Sequence, residues 1–567
     1  MIEQLLGAGP SLLAPALFVL ALVVLVVRTA WPARRSPKVR AALRAAWAVA
    51  EPARRRDRDV ILALHRARPP GPGELALDDD AAADLDLDQV FTFLDRTLTE
   101  AGQQALALML RRPQSDLARL ASRAQALAVL GGNAEAREEL QLALEPLGGA
   151  APGTLVPLLA RAELPRLPGP PRFYDLCALA ALAAIPSAYF LGPAGWVLLL
   201  AAFLLNGILH YSAEQRVTAA LPGIFALQEL LGAAERLSRA TLPGLEAWQE
   251  ILRGYERTLA PISRALRGVQ PPRSDDAAAS IALYFDIFSL RRVRLFARAS
   301  PLVSVVREPL LALLQAVGTL DALQSIASVR AGRKDHCVPS LDAAAPGLHA
   351  ENLHHPLLAN AIANPLDLDG CTLITGSNMS GKSTWLRAVG LNALFAQTIC
   401  TCFADKWSGP PVRLTTSLRH ADSLADGRSY YLAEAEGIRA ALRTLGASPR
   451  PLCVLDEIFR GTNSVERVAA ATAVLRHLER GGALVLAATH DHVLTALLDG
   501  CYQNFHFSER IGKGGLDFDY VMKPGPASTR NAIDLLRFLG YPDAVVAEAE
   551  SIRDAPPSGS PARLEDT

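Results

Sequence analysis

Apolar and polar positions divide this chain into segments of different kinds. Residues 5–27 carry no charge, and 16–27 contain only Leu, Val, Ala and Phe. Crossing the hydrocarbon core of a bilayer takes about 20 apolar residues, so this run predicts a membrane-spanning helix. A second uncharged region covers 176–209 and is interrupted by Gly192-Pro193. Two apolar stretches with a turn signal between them predict a helical hairpin that enters and leaves on one side. The alternative is a pair of fully buried helices in a soluble α-domain. From 89 to 147, apolar residues recur at three- and four-residue spacing through Leu106, Leu110, Leu117, Leu120, Leu127 and Leu130, which predicts amphipathic helices. Helical patterning resumes over 212–331, with breaks at Pro243-Gly244, Pro261 and Pro271-Pro272. Further on the pattern changes to short apolar runs, 371–375 and 451–455, that read as buried strands.

The chain's 567 residues exceed what one compact core accommodates, so several domains are expected. The segments divide it into an N-terminal anchor (1–30), a basic juxtamembrane segment (31–88), a helical core with the inserted hairpin (89–343), an α/β domain (344–550) and a tail from Ala555 rich in Pro, Ser and Gly (551–567). Lys plus Arg and Asp plus Glu both number 57, so no net positive field marks the whole molecule as a nucleic-acid binder. The local excess lies after the first apolar run: Arg28, Arg34, Arg35, Lys38, Arg40, Arg44, Arg54, Arg55, Arg56 and Arg58. A cleaved signal peptide wants its positive charge before the apolar run. Here Glu3 precedes it and the arginines follow, the order of an uncleaved anchor with the remainder of the chain cytoplasmic. Seven scattered cysteines without a CxxC pair predict reduced thiols and no zinc site.

The chemistry concentrates after residue 370. Gly376, Ser377, Asn378, Met379, Ser380, Gly381, Lys382, Ser383 and Thr384 form a glycine loop between the strand 371–375 and a helical pattern through Trp385, Leu386, Val389 and Leu391. Strand, loop and helix are the setting of a P-loop. Its amides and the helix N-terminus face a phosphate, Lys382 reaches the β- and γ-phosphates, and the Ser383 hydroxyl ligates Mg²⁺. The run 451–455 ends in Asp456-Glu457. After a P-loop, Asp456 is expected to hold Mg²⁺ and Glu457 to orient and deprotonate the attacking water. The cofactors expected are therefore ATP and Mg²⁺, with Lys382, Glu457 and His490 as the catalytic set.

Three further segments occur in order: Asp426-Gly-Arg-Ser429-Tyr-Tyr-Leu-Ala-Glu434, Phe459-Arg460-Gly461-Thr462-Asn463-Ser464 and Ala488-Thr489-His490-Asp491-His492. With the two Walker motifs they resemble the ATPase domain of the MutS mismatch-repair family over about 344–541. The resemblance implies a head-to-tail homodimer in which Ser429 reaches the partner's γ-phosphate and His490 senses the phosphate in cis. Leu353-His354-His355-Pro356-Leu357 resembles the family segment beside the adenine, which implies a nucleotide contact for His355. As residues alone, His490 is a polar cap at a strand end and His355 part of a loop. Upstream, Phe91-Thr-Phe-Leu-Asp95-Arg-Thr97-Leu-Thr99-Glu-Ala-Gly102, then Arg111-Arg-Pro113 and Arg123, resembles the opening of the MutS core, or lever, domain.

Other ATPases fit less well. The Leu-Ser-Gly-Gly-Gln signature of ABC transporters is missing, and no sustained heptads support a chromosome-maintenance ATPase. The resemblance also has limits, for no segment before the core resembles the mismatch-reading domain with its aromatic wedge. The expected architecture is a membrane-anchored, multidomain protein: an α-helical core with transmembrane helices and a C-terminal α/β P-loop ATPase. Two functions stay open. One is a nucleotide-driven dimer acting on mismatched or branched DNA; the other is a membrane-bound, ATP-dependent switch acting on a protein partner. DNA enters as a partner through the resemblance, not through charge.

Overall fold

A computed structural model describes residues 37–49, 57–160, 164–165, 167–266, 284–377, 380–418, 430–459, 463–512, 515–527 and 532–554. The predicted anchor and the tail from Ala555 lie outside the described residues. The chain is multidomain and mostly helical, with two sheets toward the C-terminus.

The helical body forms where the 89–147 periodicity places it. Leu106, Leu110, Leu120, Leu127 and Leu130 are buried, and Leu117 packs half-buried against them. The helix Glu100–Arg111 starts at Thr99, whose hydroxyl accepts from the Gly102 amide at 2.9 Å and satisfies one donor of the first turn. Through the middle of the body runs Arg307–Gly332, apolar all round and buried on most sides. It crosses Glu100–Arg111 at glycines. A Cβ on Gly102 would sit 2.2 Å from Asp321 Oδ2, and one on Gly318 2.2 Å from the Ala101 carbonyl oxygen, so neither position admits a side chain. Asp321, fully buried at this crossing, accepts from the Leu98 and Thr99 amides at 3.0 and 2.8 Å and from the Thr99 hydroxyl at 2.6 Å. Burial pushes its carboxyl up to about 6 against the opposing pull of these bonds.

Part of the segment read as a basic juxtamembrane stretch is structural. Helices Pro37–Ala46, Arg58–Ala67 and Asp79–Asp84 pack on the body, and Ile61, Leu62 and Leu64 join its core. Arg40 and Arg44 lie 2.5 and 2.6 Å from Glu139 and Glu138, so two of the basic residues assigned to a membrane surface bind protein carboxylates instead.

The hairpin divides at Gly192, φ 56°, between helices Pro171–Phe190 and Pro193–Val217. Both are long and apolar enough to cross a membrane, and so by composition is Arg307–Gly332. Burial separates them. The apolar windows of the hairpin helices are 22% and 17% buried inside the chain, that of Arg307–Gly332 83%. The pair is therefore not the fully buried core element of the alternative reading, whereas Arg307–Gly332 is a core helix.

The α/β region holds two sheets. Strands β1 (Ser340–Leu341), β2 (Leu348–Leu353), β3 (Asn364–Leu368) and β5 (Lys406–Gly409) form a small sheet in the order β1-β5-β2-β3. β1 pairs with β5 in parallel, so this sheet starts before residue 344, the boundary the sequence suggests. Strands β4 (Cys371–Thr375), β6 (Arg413–Ser417), β7 (Pro451–Asp456), β8 (Leu484–Thr489), β9 (Gln503–Gly512) and β10 (Gly515–Pro524) form the main sheet, order β10-β9-β4-β8-β7-β6. It is parallel except where β10 turns back on β9. β4, β7 and β8 are buried along their whole length, as central parallel strands covered on both faces must be.

The α/β region and the helical body are joined by packing and by polar ties. The Asp84 carboxylate accepts from the Thr416 hydroxyl at 2.7 Å and the Leu418 amide at 2.9 Å, where β6 ends. Arg123 donates to the Thr398 carbonyl at 3.1 Å, and Arg330 Nε to the Thr401 hydroxyl at 2.8 Å. Phe93 of the body meets Phe403 edge-on at 5.7 Å.

Candidate functional site

The site lies at the C-terminal ends of β4, β7 and β8, the place where open parallel sheets hold ligands. From β4 the chain turns at Gly376, φ 140°, where a Cβ would lie 2.6 Å from the Phe507 carbonyl oxygen. The loop re-enters a helix, Lys382–Thr398, through Gly381 at φ 102°. Ser380 is fully buried and its hydroxyl donates to the Ser377 carbonyl at 2.7 Å, closing the curl. Lys382 is 2% exposed, and its Nζ donates to the carbonyls of Gly376 at 2.7 Å and Ser377 at 2.6 Å. The ammonium is thus stored inside the loop that is expected to receive phosphates. Asn378 and Met379 lie outside the described residues, and the Thr384 side chain is exposed on the first helical turn.

The two Walker segments meet at one contact. Ser383 Oγ donates to Asp456 Oδ2 at 2.5 Å, joining the first turn of the P-loop helix to the end of β7. A hydroxyl and a carboxylate converging there are hard oxygen donors of the kind Mg²⁺ takes. Glu457, 4% exposed, sits in a left-handed conformation (φ 51°) and donates its amide to the Ala488 carbonyl of β8 at 2.9 Å. That conformation is costly for a side chain with a Cβ and is held by the neighbouring strand. His490 comes from the end of β8, its Nδ1 3.3 Å from Glu457 Oε1, with the ring 46% exposed while the carboxylate is buried. Of the residues read from sequence as catalytic, Glu457 and His490 thus follow the adjacent strands β7 and β8, and Lys382 opens the helix after the loop that follows β4.

The other expectations differ in outcome. His355 stands in the loop after β2, its ring Nδ1 accepting from the Leu357 amide at 3.3 Å and its carbonyl from the Leu358 amide at 3.2 Å. Burial first, and the Arg387 guanidinium on the P-loop helix second, hold its pKa down to about 4, so it is neutral at pH 7. No hydrogen bond ties it to the described loop residues. Ser429 and residues 460–462 lie outside the described residues.

Sequence reading missed several supports. Glu434, at the end of the segment that carries Ser429, is buried and accepts from the Phe459 amide just after Glu457. Arg467 grips Asp491 with two bonds, 2.9 and 3.0 Å, fixing the residue next to His490. Tyr520 of β10 lies over Gly381, its Cδ1 3.0 Å from where a Cβ would be. Asn364 holds that strand, donating to the Tyr520 carbonyl at 2.9 Å and accepting from the Met522 amide at 2.7 Å. Glu434 lay inside a motif already quoted. Arg467 and Tyr520 carry no local signal, because their partners are distant in sequence.

Comparison with known proteins agrees with this geometry. Residues 372–555 match the family model of MutS domain V. The DNA mismatch repair protein MutS of Natronomonas pharaonis is 34% identical over 263 residues, 43% of this chain and 30% of that protein. That of Lactobacillus helveticus is 33% identical over 249 residues, 42% and 29% of the two chains. That of Thermus aquaticus is 39% identical over 184 residues, 32% and 22%. The chain thus spans less than a third of the length of these relatives. Residues 372–555 therefore carry a match to MutS domain V, and over part of its length the chain is similar to DNA mismatch repair MutS proteins.

Proposed function

We propose that this protein is a Mg²⁺-dependent ATPase whose nucleotide state is passed to its helical body. The observation that carries the reading is the Ser383–Asp456 contact, with Lys382 and Glu457 on either side of it. In this reading Lys382 leaves the loop carbonyls for the β- and γ-phosphates, and the loop amides and helix N-terminus complete the cradle. Ser383 and Asp456 hold the metal, which supplies charge neutralisation on the phosphate oxygens. Glu457 accepts the proton of the attacking water, and His490 at its side orients it. Pairing of two copies through the Ser429 segment is part of the proposal, supported by the likeness to MutS domain V.

A site built this way hydrolyses ATP only with a divalent cation. Steady-state release of phosphate by the purified full chain, with Mg²⁺ and then with excess chelator, tests it: turnover lost in chelator supports the reading, and turnover unaffected by chelator contradicts it.

Two further readings are proposed for the whole protein. The exposed apolar hairpin favours a membrane-held protein, with the ATPase region on the cytoplasmic side where ATP is found. The relatives are named as DNA mismatch repair proteins, which favours DNA as the partner that the nucleotide switch acts on. Salt-dependent binding to duplex and branched DNA separates this from action on a protein partner, because phosphate contacts weaken steeply with salt.

A further inference from the structure

We propose that the base of the hairpin is a binding surface for anionic phospholipid headgroups, which rests on the membrane reading above. The hairpin is banded. Its tip carries Tyr189, Phe190 and Trp196, 64%, 78% and 64% exposed, and its base carries Phe173 and Tyr211, 42% and 69% exposed. At 1.5 Å per residue the aromatic ends stand about 24 Å apart on the first helix (Phe173 to Tyr189) and about 22 Å on the second (Trp196 to Tyr211). Between them Leu179, Val197 and Leu200 are more than half exposed. Aromatic residues at both ends of an apolar band are the arrangement that meets two bilayer interfaces.

Charge is confined to one end. Residues 185–200, around the tip, include no charged side chain. At the base, helix Arg291–Val305 packs against both hairpin helices and carries Arg291, Arg292, Arg294 and Arg298, while the hairpin helices themselves carry Arg172 and Arg216 at their base ends. Among the described residues three carboxylates lie near these arginines. Arg294 Nε and Arg298 Nη2 share one oxygen of Asp175 at 2.7 and 2.6 Å, and Arg292 Nε lies 3.3 Å from Asp286. Glu214, the third, faces His210. Arg172 and Arg216 are exposed and form no ion pair among the described residues. A positive collar under an apolar, uncharged hairpin matches the negative face of a bilayer, where arginine forks pair with phosphate. A second copy docked side by side on the same face would instead bring two such collars together.

The test uses the full chain reconstituted in vesicles of phosphatidylcholine mixed with phosphatidylglycerol, with two readouts. Brominated lipid reports insertion through the part of the tryptophan quenching that Trp196→Phe removes. Lipid retained on the repurified protein reports headgroup preference. The inference predicts that Trp196 is quenched and that phosphatidylglycerol is enriched several-fold over its bulk share. In the double variant Arg172→Gln/Arg216→Gln the enrichment falls to the bulk share or close to it. Quenching and ATP turnover stay unchanged in that variant, because neither arginine touches the nucleotide site. Quenching without enrichment, or enrichment that survives the double substitution, overturns the headgroup surface and leaves the membrane reading standing. Trp196 unaffected by brominated lipid overturns the membrane reading, and this inference with it.

Discussion

The Ser383 hydroxyl lies 2.5 Å from the Asp456 carboxylate, so the helix that follows the P-loop and the strand that ends in Asp456-Glu457 are already in register for a shared cation. Ser383→Ala removes one of the two oxygen donors. A bond to a charged group contributes about 1.5–3 kcal/mol, so the Mg²⁺ concentration for half-maximal turnover is expected to rise by about tenfold or more. Titration of Mg²⁺ at fixed ATP measures it.

Lys382 stores its ammonium on the Gly376 and Ser377 carbonyls. Lys382→Ala deletes the loop's one side-chain cation for the β- and γ-phosphates, and ATP affinity is expected to fall by at least about tenfold. Equilibrium titration with a fluorescent ATP analogue reads the loss directly; undiminished affinity would remove Lys382 from the site.

Asp84 ties the helical body to the end of β6. Asp84→Ala leaves the buried Leu418 amide without its acceptor, a cost of about 1–3 kcal/mol. Hydrogen-exchange protection at that amide is expected to drop by about fivefold to a hundredfold, while ATP affinity changes little. The same variant probes how far the helical body follows the nucleotide.

Asp321 gives a pH signature. Its folded pKa, raised by burial to about 6, lies above the ordinary aspartate value of 3.8, so the folded state holds a proton that the unfolded chain releases. Its stabilising contribution is complete below about 4 and is lost as pH rises through about 6. Opening free energies from hydrogen exchange in Arg307–Gly332 should decline across that window, and Asp321→Asn should flatten the decline.

Deleting residues 5–27 alone is expected to leave the protein in the membrane fraction, because the exposed hairpin remains. Recovery of that variant as a soluble, monodisperse protein without detergent contradicts the membrane reading of the hairpin.

What the sequence made legible is local in sequence. The glycine loop, the Asp456-Glu457 strand end, the Gly192-Pro193 break and the leucine periodicity of the helical body each depend on neighbours a few residues away, and the structure places them as read. What escaped depends on distant partners. The Asp84 tie to Thr416, the grip of Asp321 on Leu98 and Thr99 and the placing of Tyr520 over Gly381 join residues more than a hundred positions apart. His355 shows the converse. Its motif was readable, but burial beside Arg387 and not the motif defines its surroundings. The ten-residue basic cluster misled in part, because Arg40 and Arg44 find carboxylates on the helix Ala134–Gly148.

The central claim is that Glu457, buried and held left-handed against β8, is the base of an ATP-hydrolysing site. ATP affinity and single-turnover hydrolysis of wild type and Glu457→Gln, measured side by side with Mg²⁺, test it most directly. The account predicts equal affinity and a rate at least about a hundredfold lower in the variant, since the amide keeps the shape and cannot accept the water's proton. Hydrolysis at the wild-type rate by Glu457→Gln would contradict it.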